Sequence, residues 1–302
     1  MSESEAWTIG KLLTWTTDYL KKHGSQSPRL DAEVLLAHAR KCQRIELYTA
    51  FGEEPNDEVK DAFRQMVRKR AEGTPVAYLV GYKEFYATLF DVTADVLIPR
   101  PETEHLVIEA IDRAKQLRQA QPDESARTLR IADVGTGSGI IAISVAKQLG
   151  SACQVTAIDL SAAALDVARR NAERYQLGED RIRFQQGDLL EACNPAEPFD
   201  LILSNPPYVS EAEFQLLDRS VREFEPRQAL VAGPSGAEII VRLIEQAGRY
   251  LTADGFLIFE FSPMLAKQLD SWIDAGWQSP HITKDLAGLA RIVTLRKLRP
   301  EH

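Results

Sequence analysis

The chain has 302 residues, enough for one large or two ordinary domains, and its 44% hydrophobic and 26% charged content is that of a soluble globular protein. The net charge of −8 is unevenly spread: 13 basic and 13 acidic residues through Phe85 leave 23 basic against 31 acidic beyond it, so no strongly basic face for a phosphate backbone is visible. No apolar run approaches a bilayer span, Glu3 and Glu5 sit where a leader would be basic or apolar, and Cys42, Cys153 and Cys193 form no CxxC; with five scattered histidines, this excludes membrane, disulfide-framework and metal classes and leaves the expectation of a cytoplasmic protein.

From Thr8 to His23 apolar residues recur at helical spacing and Gly24 supplies a stop. Ser27 then reads as an N-cap with Pro28 at the first helical position, and His38 as a core-edge residue of the helix that follows. After a short apolar piece around Ile45 to Phe51, Asn56 caps a third helix carrying Val59, Phe63, Met66, Val67 and Arg70 along one side, with the run Arg68, Lys69 and Arg70 read as a solvated face and Gly73 as its end. Val76 to Ile98 is rich in Val, Tyr, Phe and Thr, which favours strands in a hairpin. Pro99, Arg100 and Pro101 force extension before Glu102, Thr103 and Glu104 open another helix, and Gln119 to Arg127 reads as a polar loop. The chain thus divides into a helical part over 1–74, a hairpin linker over 75–102 and a larger part over 103–302.

That larger part alternates. Strand-like runs at Leu129 to Val134, Gln154 to Ile158, Ile182 to Gln185, Phe199 to Leu203 and Phe256 to Phe261 are interleaved with helical patterns at Ile140 to Leu149, Ala162 to Tyr175 and Ala237 to Leu251, which predicts an α/β fold with a parallel sheet wound on both faces. Trp277 to Ile282 and Arg291 to Leu298 are joined too closely for a crossover and read as an antiparallel pair.

Functional residues cluster at the predicted strand ends. Ser204, Asn205, Pro206, Pro207 and Tyr208 end the fourth run, because two prolines cannot continue a central strand. Asn205 and the Pro206 carbonyl can accept both N–H bonds of a planar NH₂ while Tyr208 lies against its plane, a cradle for an amide or an exocyclic amine; the bland alternative is a proline-stopped loop. After the first run, Gly135, Thr136, Gly137, Ser138 and Gly139 form a G-x-G-x-G turn into a helix, suited to close backbone approach by a ligand. Asp159 closes the second run 20 residues after Gly139, where a carboxylate can accept two ribose hydroxyls, and Asp188 with Leu189 follows the third, near where an adenine edge would lie. Singly these are a turn, a cap and a loop aspartate. Together they point to a nucleoside-bearing cofactor.

With these motifs the chain resembles the class I S-adenosylmethionine-dependent methyltransferases acting on planar nitrogens. Ile98 to Glu104, Gly73 to Leu79, Phe224 to Arg227 and Asp285 to Gly288 make it more narrowly similar to the release-factor glutamine methyltransferases. The resemblance implies a Rossmann-like, seven-stranded, mostly parallel sheet with an antiparallel last strand, a small N-terminal helical domain and a connecting β-hairpin. It also implies S-adenosylmethionine as cofactor, class I peptide-chain release factors as protein partners, and methylation of the glutamine in their Gly-Gly-Gln loop; by exclusion, since one glutamine cannot define a substrate and the helical domain carries no catalytic motif, that domain is expected to recognise the partner. The chain departs from the family pattern at Ala232 to Ala237, at Phe261 and Ser262, and at Leu289 and Ala290. Alternatives in view are a ribosomal-protein glutamine methyltransferase, an adenine-amine methyltransferase on DNA or RNA, a nicotinamide dehydrogenase and a non-catalytic binding module.

Overall fold

The computed structural model describes residues 6–120 and 127–299, so residues 1–5 of the amino terminus and 121–126 of the expected polar loop lie outside the described residues. By internal contacts the described chain forms two units, one of residues 6–82 with 218–224, the other of 83–120, 127–217 and 225–299.

In the first unit, capping decides where helices begin. The Thr8 hydroxyl accepts from Lys11 N and starts α1 (Ile9–Lys22). Pro28 does open α2 (Pro28–Arg40), but the Ser27 side chain makes no cap bond; Ser25 accepts from Ser27 N at 3.2 Å and donates to Asp31 at 2.7 Å, which ties the segment before the helix to its first turn. The apolar piece near Ile45 contains α3 (Glu46–Thr49), and Asn56 accepts from Val59 N at 2.9 Å to cap α4 (Asp57–Ala71). Of the basic run on α4, Arg68 and Lys69 are exposed as expected, whereas Arg70 turns inward and pairs with Asp31 at 2.8 Å. The expected strand at Val76 is instead α5 (Val76–Val80): Pro75 sets the start and Gly81, at φ 82°, the stop, so two end signals six residues apart outweigh the β-branched composition. Ile9, Leu13, Leu35, Leu36, Leu47 and Phe63 form the core of this unit, each buried side chain contributing about 1.5–3 kcal/mol. His38 is half-buried beside Tyr82, as its place on the helix predicts.

The hairpin is shorter than its composition suggests: β1 (Tyr82–Phe85) and β2 (Thr88–Asp91) turn through Tyr86 and Ala87, both in left-handed backbone at φ 49° and 51°. A 3₁₀ turn at Pro101–Thr103 leads into α6 (Glu104–Gln119). Then follow β3 (Leu129–Val134), α7 (Ile140–Leu149), β4 (Cys153–Asp159), α8 (Ala162–Arg174), β5 (Ile182–Gln186) and β6 (Phe199–Ser204). Short elements come next: β7 (Val209–Ser210), α9 (Glu211–Phe214), α10 (Arg219–Phe224) of the first unit, and β8 (Val231–Gly233). Last are α11 (Glu238–Tyr250), β9 (Leu251–Glu260), β10 (His281–Lys284) and β11 (Ala290–Arg296).

The seven-stranded sheet has the order β10-β11-β9-β6-β3-β4-β5, and β11 pairs antiparallel with both its neighbours while the β9-to-β5 ladder is parallel. Alternation along each strand feeds two cores: Ile131, Leu201 and Ile258 pack toward α6 and α7, while Ala132, Ile202 and Leu257 pack toward α11. The strand expected at Trp277 begins only at His281, because Pro280 has no N–H to donate; Trp277 itself makes an isolated bridge to Lys297. The order reverses at β3 and β6, whose carboxyl ends lie side by side with Val134 opposite Ser204. A crevice opens at such a reversal.

Candidate active site

The glycine turn is built at that reversal. Gly135 N and Thr136 N both donate to Ile158 O at 2.9 Å, which pins the turn to the neighbouring strand, and Gly137 N donates to Asp159 Oδ2 at 2.8 Å. Gly135 and Gly137 have φ of 72° and 55°; a Cβ on Gly137 would meet nothing within 4 Å, and one on Gly135 would meet only Asn205 O at 3.9 Å. The turn therefore faces open space. Gly139 has a different place: it does not line the crevice, and a Cβ there would lie 3.0 Å from Ile143 and 3.2 Å from Ala168, so its bareness lets α7 seat against α8.

Gly135, Thr136, Gly137, Ser138, Asp159, Asp188, Leu189 and Asn205 line one crevice. Burial pushes the Asp159 carboxyl up, opposed by the backbone N–H groups of Ser161, Gly137 and Leu160. Its two oxygens each accept one of these bonds, from Gly137 and from Ser161, and keep further lone pairs for a ligand. Asp188 pairs through Oδ2 with Arg242 at 2.8 Å, leaving Oδ1 for a donor, and Leu189 beside it holds left-handed backbone at φ 51°. At the base of the turn Asp133 is buried, accepting from Thr136 Oγ1 at 2.6 Å and Ala142 N at 3.0 Å, and burial pushes its carboxyl up to about 7. The crevice is also lined by Pro99, Arg100 and Pro226, and the buried Glu225 carboxylate beside Pro226 takes Ile98 N at 3.1 Å and the Arg100 guanidinium. Two stretches 125 residues apart in sequence are thereby clasped together.

The proline-stiffened tip after β6 divides its residues. Asn205 lines the crevice, whereas Tyr208 lines a separate shallow depression with Val209, Glu213, Leu216, Leu217 and Ser262; Pro206 and Pro207 line neither. A buried relay runs behind the tip: Asn205 Nδ2 donates to Thr103 Oγ1 at 3.0 Å, Thr103 Oγ1 donates to Glu260 Oε2 at 2.7 Å, and Tyr208 OH donates to Glu260 Oε1 at 2.9 Å. Thr103 is fully buried and Glu260 is 1% exposed. Burial pushes the Glu260 carboxyl up, the Thr103 and Tyr208 hydroxyls hold it down, Glu102 adds to the rise and Arg291 opposes it. Tyr208 is raised as well, first by burial and then by Glu260.

The departure at Ala232 to Ala237 also has a structural role. Gly236 sits at φ 85°, and a Cβ there would lie 2.8 Å from Tyr208 O and 3.2 Å from Ser210 N, both backbone atoms. Gly236→Ala is expected to lower stability by about 2 kcal/mol and, by displacing the tip, to lower kcat more than cofactor affinity. Thermal unfolding and steady-state kinetics on the purified variant check both.

Thr103 and Glu225 fall inside stretches that carry the resemblance, and Glu260 inside an apolar run, but none of the three is assigned a site role by the motif reading. The available signal was a carboxylate inside an apolar run, Phe256 to Phe261, where an unpaired charge would be costly. Their partners lie 157, 52 and 125 residues away along the chain, beyond any local pattern.

Known proteins bear on the same residues. A family model described as the PrmC N-terminal domain matches residues 11–81, and one described as a methyltransferase domain matches 131–226. A release factor glutamine methyltransferase of Rhodopirellula baltica is 50% identical over 298 residues, covering 98% of each chain. Another, of Chlorobaculum tepidum, is 40% identical over 96% of this chain and 98% of its own. Among solved structures, the hMettl16 catalytic domain in complex with a MAT2A 3'UTR hairpin 6 superposes with a TM-score of 0.53 at 17% identity over 78% of this chain and 83% of that one, a likeness of fold alone. At such identities over nearly its full length, and with the seven-stranded α/β methyltransferase sheet, the chain belongs to the release factor glutamine methyltransferase family.

Proposed function

We propose that this chain transfers a methyl group from S-adenosylmethionine to the side-chain amide nitrogen of the glutamine in the Gly-Gly-Gln loop of class I peptide-chain release factors. The observation that carries the reading is the state of Asn205: its Nδ2 is engaged by Thr103, and none of the described residues donates to its Oδ1, on a residue that lines the crevice. An acceptor so placed suits an N–H of an incoming carboxamide. We assign the second acceptor to the carbonyl of Pro206, the next residue of the tip, although Pro206 does not itself line the crevice; a backbone carbonyl has two lone pairs to offer an N–H.

The crevice suits the cofactor. The Gly135 to Ser138 turn offers backbone to an approaching ligand and would keep it close because no Cβ intervenes at Gly135 or Gly137; Asp159 would take ribose hydroxyls, and Asp188 with Leu189 the adenine edge. When bound, the cofactor supplies a methyl group on a positively charged sulfur. A carboxamide nitrogen is a poor nucleophile, its lone pair delocalised into the carbonyl. The share of this chain's residues is therefore placement: two acceptors fix the NH₂ and stabilise the positive charge that develops on it, and Tyr208, tethered through Glu260, stiffens the tip that carries them. We assign recognition of the release factor to the helical unit, which matches the PrmC N-terminal domain and carries no catalytic constellation among its described residues. Such a substrate would place the enzyme in the cytoplasm.

The test is methyl transfer from labelled S-adenosylmethionine to a purified release factor and to one whose loop glutamine is replaced by alanine. Label is expected in the first alone. Equal labelling of both would discard the proposed target, and loss of labelling with modest added salt would favour a nucleic-acid substrate instead.

A further inference from the structure

We propose that Thr103 and Glu260 are positioning residues that set which end of the Asn205 carboxamide faces the substrate. This rests on the reading of Asn205 as the acceptor for the substrate amide. A carboxamide has two nearly isosteric ends, one a double donor and the other an acceptor, and in a cradle for an NH₂ group only the acceptor end is productive. Nothing in the tip itself selects between them, because the two orientations fill the same volume.

The relay behind the tip makes the choice. Glu260 faces two hydroxyls that donate to its two carboxylate oxygens, Thr103 Oγ1 at 2.7 Å and Tyr208 OH at 2.9 Å. Each hydroxyl has one proton and gives it to the carboxylate. Thr103 Oγ1 is left as an acceptor, so the atom of Asn205 that lies 3.0 Å away must be its Nδ2, and Oδ1 turns outward. Turning the amide over would set Oδ1 against the Thr103 oxygen, two acceptors with no proton between them, in a place where Thr103 has no water to turn to because it is fully buried. One buried carboxylate thus polarises two arms of a single device: through Thr103 it orients Asn205, and through Tyr208 it anchors the far end of the same tip.

A packing role for these residues makes different predictions. Thr103→Val keeps shape and burial but removes the acceptor, so the positioning role requires kcat to fall at least tenfold while KM for the release factor and the dissociation constant for S-adenosylhomocysteine stay within about threefold. Thr103→Ser restores the hydroxyl and should return kcat to within about threefold of wild type. Glu260→Gln can offer its NH₂ to Thr103 and release the threonine proton toward Asn205, so it should show the same kcat loss, and the double variant Thr103→Val with Glu260→Gln should be little worse than either single one because both act through one path. The proposal is overturned if folded Thr103→Val keeps kcat within twofold of wild type, or if Thr103→Ser loses as much as Thr103→Val. Should Thr103→Val fail to fold, Thr103→Ser beside Glu260→Gln decides: full kcat in Glu260→Gln, or loss in the serine variant, overturns it equally. These outcomes are separable from failure of the reaction itself, since an inactive Asn205→Ala beside a fully active Thr103→Val removes only the positioning role, whereas a wild type that labels a glutamine-free release factor equally well removes the reading beneath it.

Discussion

Asn205→Ala is expected to lose about 10²–10³ in single-turnover methyl transfer while its affinity for S-adenosylhomocysteine stays within a few-fold of wild type. The side chain contributes one acceptor to the crevice and one donor to Thr103, and it contributes neither to the Gly135–Ser138 turn nor to the carboxylate of Asp159. Its removal therefore leaves the cofactor's contacts in place and strips the substrate amide of a fixed partner. An acceptor aimed at developing positive charge is worth about 3–4 kcal/mol, which sets the size of the loss. Calorimetric titration of S-adenosylhomocysteine beside a rapid-quench label assay separates the two quantities. Undiminished single-turnover methylation would remove Asn205 from the reaction.

The converse result is expected for Asp159. Asp159→Ala should weaken S-adenosylhomocysteine about 100-fold, from loss of charge-assisted bonds to ribose hydroxyls, each worth about 1.5–3 kcal/mol. It should also loosen the turn, because Gly137 N at 2.8 Å and Ser161 N at 2.9 Å both lose their acceptor. In a thermal-shift series, wild type should gain stability with S-adenosylhomocysteine and gain none with NAD, and Asp159→Ala should lose most of the gain at the same ligand concentration. Asp159→Asn should fall between the two, since its side-chain oxygen can still accept from Gly137 but carries no charge. A shift with NAD in wild type would favour the dehydrogenase alternative; an unchanged shift in Asp159→Ala would displace the ribose from this carboxylate. Together the two variants are expected to separate cofactor binding from methyl transfer.

Much of this site was legible before any coordinates. The runs Leu129 to Val134, Phe199 to Leu203 and Ile140 to Leu149 become β3, β6 and α7 with boundaries moved by at most one residue, because a strand buried on both faces must be apolar throughout and a helix start here coincides with a glycine turn. Where local signals conflicted, reading by composition failed: Val76 to Val80 is β-branched at both ends yet helical, since Pro75 and Gly81 fix the ends and the segment buries Val80 in the helical core. Arg70 reads as solvated until Asp31, 39 residues earlier, is found beside it.

What the sequence by itself determined is the alternation that makes the doubly wound sheet, and hence that Gly135, Asp159, Asp188 and Asn205 all stand at carboxyl ends of parallel strands. Each of those facts follows from the next few residues along the chain, through steric limits on proline, the freedom of glycine and the period of burial. What only the tertiary structure decided is how the Asn205 carboxamide is turned and that Glu225 clasps Ile98 and Arg100. These depend on partners brought together by sheet order across more than a hundred residues, or on the direction of a single hydroxyl proton inside a buried relay. The physical reason is that hydrogen-bond direction is a property of the whole closed network, in which every donor must find an acceptor, and no segment of chain contains the network.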